Sequence, residues 1–186
     1  SFHGRTLATL TATGQDKFHP EAFAPYPEGF KTIKPNDFEA LKTAFDETTC
    51  ALFIECIQGE GGVNLIDPEW AKQAAQAARK AGAIVMADEV QTGIGRTGTF
   101  LASDWLGFNP EVVTLAKGIA AGVPMGACLF RGKAADVFVA GDHQSTFAGN
   151  PLACAAGNVV VNTVSNKKFL DEVNSKGEYI RNTIKS

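Results

Sequence analysis

The chain has 186 residues, a formal net charge of −3, 45% hydrophobic and 20% charged residues, the balance of one globular domain with a sizeable core. Lysines and arginines are scattered among acids, so no basic stripe marks a nucleic-acid partner, and the apolar runs are far too short to span a membrane. Cys50, Cys56, Cys128 and Cys154 form neither a C-x-x-C pair nor a metal cluster, and His3, His19 and His143 are too dispersed for a zinc motif. No metal is expected, and the cysteines read as buried free thiols in a reducing, cytoplasmic compartment.

Residues 2–13, rich in Thr and Leu, read as a strand or a strand and turn, and 15–34, with Pro20, Pro25 and Pro27, as an irregular loop. "PNDFEALKTAFD" (35–46) predicts a helix, with Asn36 as cap, Glu39 closing a capping box, and Phe38, Leu41 and Phe45 on one face. "CALFIECI" (50–57) is a continuous apolar strand of the kind covered on both faces. "DPEWAKQAAQAARKAG" (67–82) carries the clearest helix signal. Asp67 caps it, Pro68 opens it, Gly82 stops it, and Trp70, Ala74, Ala77, Ala78 and Ala81 line its buried face. "AIVMADE" (83–89) and "EVVTLAK" (111–117) are further buried strands, and "GACLF" (126–130) a shorter one. A helix follows from Pro151 with Asn150 before it, then an amphipathic helix over the last twenty or so residues. This alternation predicts an α/β fold with a mainly parallel sheet flanked by helices.

Two of the strands end in charges: Asp88 closes one and Lys117 the other, 29 residues on, enough for a strand and its crossover. The carboxyl ends of parallel strands share one edge, where ligands bind, so both side chains are expected at the same crevice. A lysine against an apolar wall has its charged form disfavoured, which frees its amine as a nucleophile, and a buried aspartate needs a cationic partner or strong hydrogen bonds. Pyridoxal 5′-phosphate satisfies both, because it bonds covalently to a lysine and presents a protonated ring nitrogen to a carboxylate. A solvated strand end is the bland alternative for either residue. Gly118 and Gly122 favour the cofactor by letting it approach the backbone. A doubly wound nucleotide-binding oxidoreductase would need G-x-G-x-x-G after the first strand, and none is present; "GIGRTG" lacks the lysine of a P-loop.

"ADEVQTGIGRTG" (87–98), "LAKG" around Lys117, "QGEGG" (58–62), "STFAGNPLACAA" (145–156) and "SFHGRT" (1–6) together resemble the class III aminotransferases that use ω-amino donors. The resemblance runs over essentially the whole chain. It implies a pyridoxal-phosphate-dependent transferase of fold type I. In its catalytic set, Lys117 holds the cofactor and shuttles a proton, and Asp88 pairs with the pyridine nitrogen. Gln91 would bond the ring's phenolic oxygen, Phe2 stack on the ring, and Thr146 reach the phosphate of a neighbouring subunit in a homodimer. Ser145 beside it, Arg5 and Glu60 would serve the substrate: Arg5 binds an α-carboxylate with its planar fork, and Glu60 gates an arginine from elsewhere.

The same resemblance implies transfer of the terminal amino group of N2-acetylornithine to 2-oxoglutarate, a step of arginine biosynthesis. Succinylornithine, ornithine and 4-aminobutyrate are the alternative donors. Cys56 stands where the family commonly has proline, and "GIAAGVPMGA" replaces a more glycine-rich stretch. Residues 1–186 are expected to form the central part of the cofactor-binding large domain. An upstream phosphate-binding segment and a C-terminal small domain would lie outside them, leaving the piece alone with little or no turnover.

Overall fold

The computed structural model describes residues 1–185. Residues Leu7–Ala12 form a helix, α1, not the strand their composition predicts. Threonine hydroxyls explain the difference. Thr9 Oγ1 accepts from the Thr6 amide and donates to the Thr6 carbonyl, while Thr11 and Thr13 donate to the Leu7 and Thr9 carbonyls. Local side-chain bonds of this kind override β propensity.

The helix expected over 35–46 is reduced to a 3-10 turn at Ala40–Thr43. Asn36 has φ +61° and is spent elsewhere, donating to the Leu65 carbonyl and accepting from the Asp67 amide. Glu39 pairs with Lys42 in place of a capping box. Asp37 instead accepts from the Ala40 amide.

Strand β1 (Ala51–Glu55) breaks at Cys56, and β2 (Ile57–Gln58) pairs antiparallel with β3 (Asn64–Leu65), closing "QGEGG" into a tight hairpin. Helix α2 (Pro68–Lys80) begins as predicted: Asp67 Oδ1 accepts from the amides of Glu69 and Trp70, a cap worth about 1 kcal/mol. Its buried face is Trp70, Ala71, Ala74, Ala75 and Ala78; Ala77 and Ala81 are only half-buried. The alanines let α2 lie close against the sheet, and the Trp70 indole nitrogen, deeply buried, donates to the Asp37 carbonyl.

Strand β4 (Ile84–Asp88) leads to a short helix, α3 (Ala102–Leu106), which the sequence pattern did not announce, then to β5 (Val112–Leu115) and β6 (Ala127–Phe130). The sheet order is β1-β4-β5-β6, the first three parallel and β6 antiparallel. Helix α4 (Pro151–Val164) starts with Asn150 Oδ1 accepting from the Ala153 amide, and α5 (Lys167–Lys185) follows. The turn after β4 seats α5: Asn174 donates to the Gly98 carbonyl, and a Cβ on Gly98 would lie 1.9 Å from the Asn174 amide oxygen.

The core joins α2 and α3 to the sheet through Leu52, Ile54, Val85, Ala87, Leu106, Phe108 and Leu115. All four cysteines are free, but only Cys56 is buried; Cys154 is half-buried, and Cys50 and Cys128 are exposed. Among the described residues no helix is long and apolar enough to cross a membrane.

Candidate active site

The parallel register brings the two charged strand ends to one edge. Asp88 is the last residue of β4 and pairs in register with Thr114 of β5, and Lys117 stands three residues beyond Thr114. Adjacent strands lie ~4.8 Å apart, so both residues rise from one corner of the sheet.

Lys117 has φ +50°, a left-handed conformation that costs a non-glycine residue on the order of 1 kcal/mol or more. Rather than lying against an apolar wall, it is exposed, and its ammonium donates to Gln91 Oε1 at 2.9 Å. Gln91 rests on the hairpin: a Cβ on Gly59 would come within 2.1 Å of its amide nitrogen. Gly59 is therefore needed for space. A cavity of about 310 Å³ opens here, lined by Val90, Gln91, Gly93, Ile94, Arg96, Lys117 and Gly118.

Asp88 is not among the residues that line this cavity, and its side chain is 7% exposed. The partners a buried carboxylate requires are both present. Oδ2 is 2.8 Å from His3 Nδ1, and Oδ1 accepts from the Val90 amide at 3.0 Å. His3 stacks on Phe53 with ring centroids 4.0 Å apart. Beside them Glu55, in register with Asp88, accepts from the Phe2 amide at 2.5 Å. The sequence reading missed both His3 and Glu55. No local pattern links them: His3 and Asp88 lie 85 residues apart in the chain, and Phe2 and Glu55 lie 53 apart.

Burial pushes the Glu55 carboxyl above its ordinary value of 4.5, with Asp88 adding to the effect and the Phe2 amide and His3 opposing it. The folded chain therefore holds this proton more tightly than the unfolded one. The linked contribution to stability falls as pH rises from about 4.5 to the raised folded value, then levels off. Glu55→Gln is expected to flatten that decline, read as unfolding midpoints in urea across pH 4–8.

The other predicted residues divide into two groups. Phe2 is half-buried and meets Phe18 edge-on, with centroids 5.1 Å apart. Arg5 is exposed, its guanidinium 4.5 Å from the Phe18 ring centroid and 5.5 Å from that of Phe2. Glu60 is bonded to Gln15 and Lys17. Ser145 and Thr146 lie exposed in the segment between β6 and α4, and among the described residues neither bonds to the Asp88–Lys117 edge.

A mostly parallel sheet with a lysine, an amide and a buried acid at its carboxyl edge defines an α/β ligand-binding unit. The family profile Aminotransferase class-III matches residues 1–186. The chain is 49% identical over 181 residues to an acetylornithine aminotransferase of Caldanaerobacter subterraneus subsp. tengcongensis, covering 97% of this chain and 46% of that protein. It is 46% identical to the Aquifex aeolicus enzyme of the same name, covering 100% of this chain and 48% of that protein.

Among solved structures, ornithine aminotransferase from Toxoplasma gondii ME49 superposes with a TM-score of 0.89 at 36% identity, covering 96% of this chain and 43% of that one. N-acetylornithine aminotransferase from Stenotrophomonas maltophilia K279a gives 0.73 at 32% identity, covering 84% and 41%. The chain thus spans about half the length of the curated relatives it matches. The fold is that of the type I pyridoxal-phosphate-dependent transferases. The chain belongs to the class-III aminotransferase family.

Proposed function

We propose that residues 1–186 form the cofactor-binding core of the large domain of an N2-acetylornithine aminotransferase, which passes the terminal amino group to 2-oxoglutarate in arginine biosynthesis. The observation that carries this reading is the shared edge where exposed Lys117, Gln91 and His3-backed Asp88 meet. It is supported by 49% identity to a protein named for that activity.

The residues present fit pyridoxal 5′-phosphate. Lys117 carries an accessible amine at the cavity wall, bonded to the Gln91 amide oxygen. Asp88 retains lone pairs beyond those used by His3 and Val90, so it can take a further donor. Thr114 Oγ1, next to it in register, is buried with no hydrogen-bond partner among the described residues. A Cβ on Gly118 would meet nothing within 4 Å, which leaves backbone room for a flat ring.

When bound, the cofactor supplies an electron-withdrawing ring that stabilises negative charge on the reacting carbon. Lys117 would provide the attachment point, and its amine would carry the proton at the reacting carbon. Gln91 orients the lysine amine, His3 fixes the Asp88 carboxylate, and Asp88 would hold a proton on the cofactor's ring nitrogen. Arg5 grips the substrate carboxylate with its fork, at the end of the site remote from Lys117.

Exposed apolar side chains from β6 to α4, including Leu129, Phe138, Phe147, Leu152 and Val159, support assembly as a homodimer. Thr146 sits within this stretch, where it would reach the partner's phosphate site. Four free cysteines accord with a reducing cytoplasm.

The test is steady-state kinetics on the intact protein with acetylornithine, succinylornithine, ornithine and 4-aminobutyrate as donors. Acetylornithine is expected to give the highest kcat/KM, and Arg5→Ala to lower it about tenfold or more. Equal rates for all four donors, unchanged by Arg5→Ala, would overturn the substrate assignment.

A further inference from the structure

Residues 1–4 lie in no helix or strand, yet they meet the carboxyl ends of β1 and β4 and deliver His3 to Asp88. Side chains from other elements hold two consecutive amides of this stretch. Thr13 Oγ1, on a fully buried residue, accepts from the His3 amide at 2.9 Å, and Glu55 Oε1 accepts from the Phe2 amide at 2.5 Å. Phe53 and Glu55 alternate with Ile54 on β1, so both project from the face that Asp88, the register partner of Glu55, also uses. The His3 ring stacks on Phe53 and bonds to Asp88, while the residue before it is tied to Glu55. Glu55 is 6% exposed, and among the described residues its one hydrogen bond is to the Phe2 amide. A buried carboxyl with a single amide and no lysine or arginine beside it is a costly placement for a side chain that only fills space.

We propose that Glu55 is a positioning residue for the cofactor's ring: by accepting the Phe2 amide it fixes the Phe2–His3 pair, and through His3 it sets the direction of the Asp88 carboxylate. This inference rests on the reading of Asp88 as the partner of the ring nitrogen. Reach, not charge, is the property that counts. A side chain one methylene shorter leaves the Phe2 amide without its acceptor, and a stretch with no ladder or helix of its own loosens at that point. Glutamine presents a carbonyl oxygen at the same reach and serves equally.

The test uses the intact protein, with pyridoxal 5′-phosphate itself as the probe. Two quantities are read: its dissociation constant from the cofactor-free protein, and the pH midpoint of its absorbance change when bound. A proton held less firmly on the ring nitrogen withdraws less charge from the nitrogen joined to Lys117, so a loosened Asp88 moves that midpoint upward. Glu55→Asp and Glu55→Asn, both too short, should each raise the dissociation constant about tenfold, the scale of one hydrogen bond, and the midpoint by about half a pH unit or more. Glu55→Gln should stay within about twofold of the unaltered protein, with its midpoint in place. In a His3→Ala background the short variants should add little, because the route to Asp88 is already cut.

A glutamine variant as displaced as the aspartate one would show that charge matters rather than reach, and would overturn the proposal. Short variants that bind and titrate like the unaltered protein would overturn it too, as would full additivity with His3→Ala. Asp88→Ala separates this outcome from the reading of the site. If that change leaves the midpoint in place, Asp88 does not serve the ring, and the role of Glu55 falls with it. A midpoint that moves for Asp88→Ala but not for the short variants removes the role of Glu55 alone.

Discussion

Replacing Lys117 with alanine in the intact protein is expected to lower turnover by at least about a thousandfold, because the proposed function makes it both the attachment point and the proton carrier. Stability should barely move. The ammonium is exposed and makes one hydrogen bond, to Gln91, and alanine meets the same left-handed backbone as lysine does. The loss is thus chemical rather than structural, which circular dichroism and thermal melts would establish beside the rates. Borohydride reduction with pyridoxal phosphate, followed by peptide mapping, gives the positive counterpart: the pyridoxyl group should appear on Lys117 of the unaltered protein and nowhere in the variant. A label on another lysine, or a variant retaining more than about a tenth of the activity, would remove Lys117 from the centre of the site.

The second large effect concerns folding. Glu89→Ala is expected to cost at least about 3 kcal/mol, since each buried amide left without an acceptor costs about 1–3 kcal/mol. Glu89 is 1% exposed and both its oxygens are acceptors. Oε1 takes the Ser103 amide at 2.7 Å and the Cys56 thiol at 3.7 Å; Oε2 takes the Ala102 amide at 3.1 Å and the Thr92 hydroxyl. One carboxyl therefore caps α3 from thirteen residues away and ties the β4 exit to β1. Burial and the neighbouring Glu89 push the Cys56 thiol far above its usual range, so it stays a donor.

Glu89→Gln keeps the volume but turns one acceptor into a donor facing donors, so it should lose stability too. The readout is the denaturant midpoint of the intact protein. A loss under about 1 kcal/mol would mean that water replaces the carboxyl, and the capping role would fall.

The parts of the fold that were legible in the sequence are those written in short-range signals. Asp67, Pro68 and Gly82 bracket α2 within sixteen residues, and the apolar runs ending at Asp88 and Lys117 announce two neighbouring strands. The site was half legible for the same reason. A charge at the end of a buried strand points to the ligand-binding edge, but what stands behind that charge arrives from far along the chain.

His3 reaches Asp88 across 85 residues, the Phe2 amide reaches Glu55 across 53, and Gln15 reaches Glu60 across 45. No periodicity records such meetings. The failures at 7–12 and 35–46 have a different origin: threonine hydroxyls bonding their own backbone made a helix of a strand-like composition, and Asn36 abandoned its cap to join the β3–α2 turn. Burial of the cysteines was over-read, because apolar neighbours in sequence do not guarantee cover in space. Cys128 on β6 is exposed.

Lys117 sits where a residue without a side chain would be more comfortable. A lineage selected for thermal tolerance alone would drift toward glycine at that position, gaining robustness while losing the amine on which the proposed chemistry depends. The twist in the main chain just after β5 is thus a small standing strain, and on the proposed reading a homologue with glycine there would have left enzymology behind.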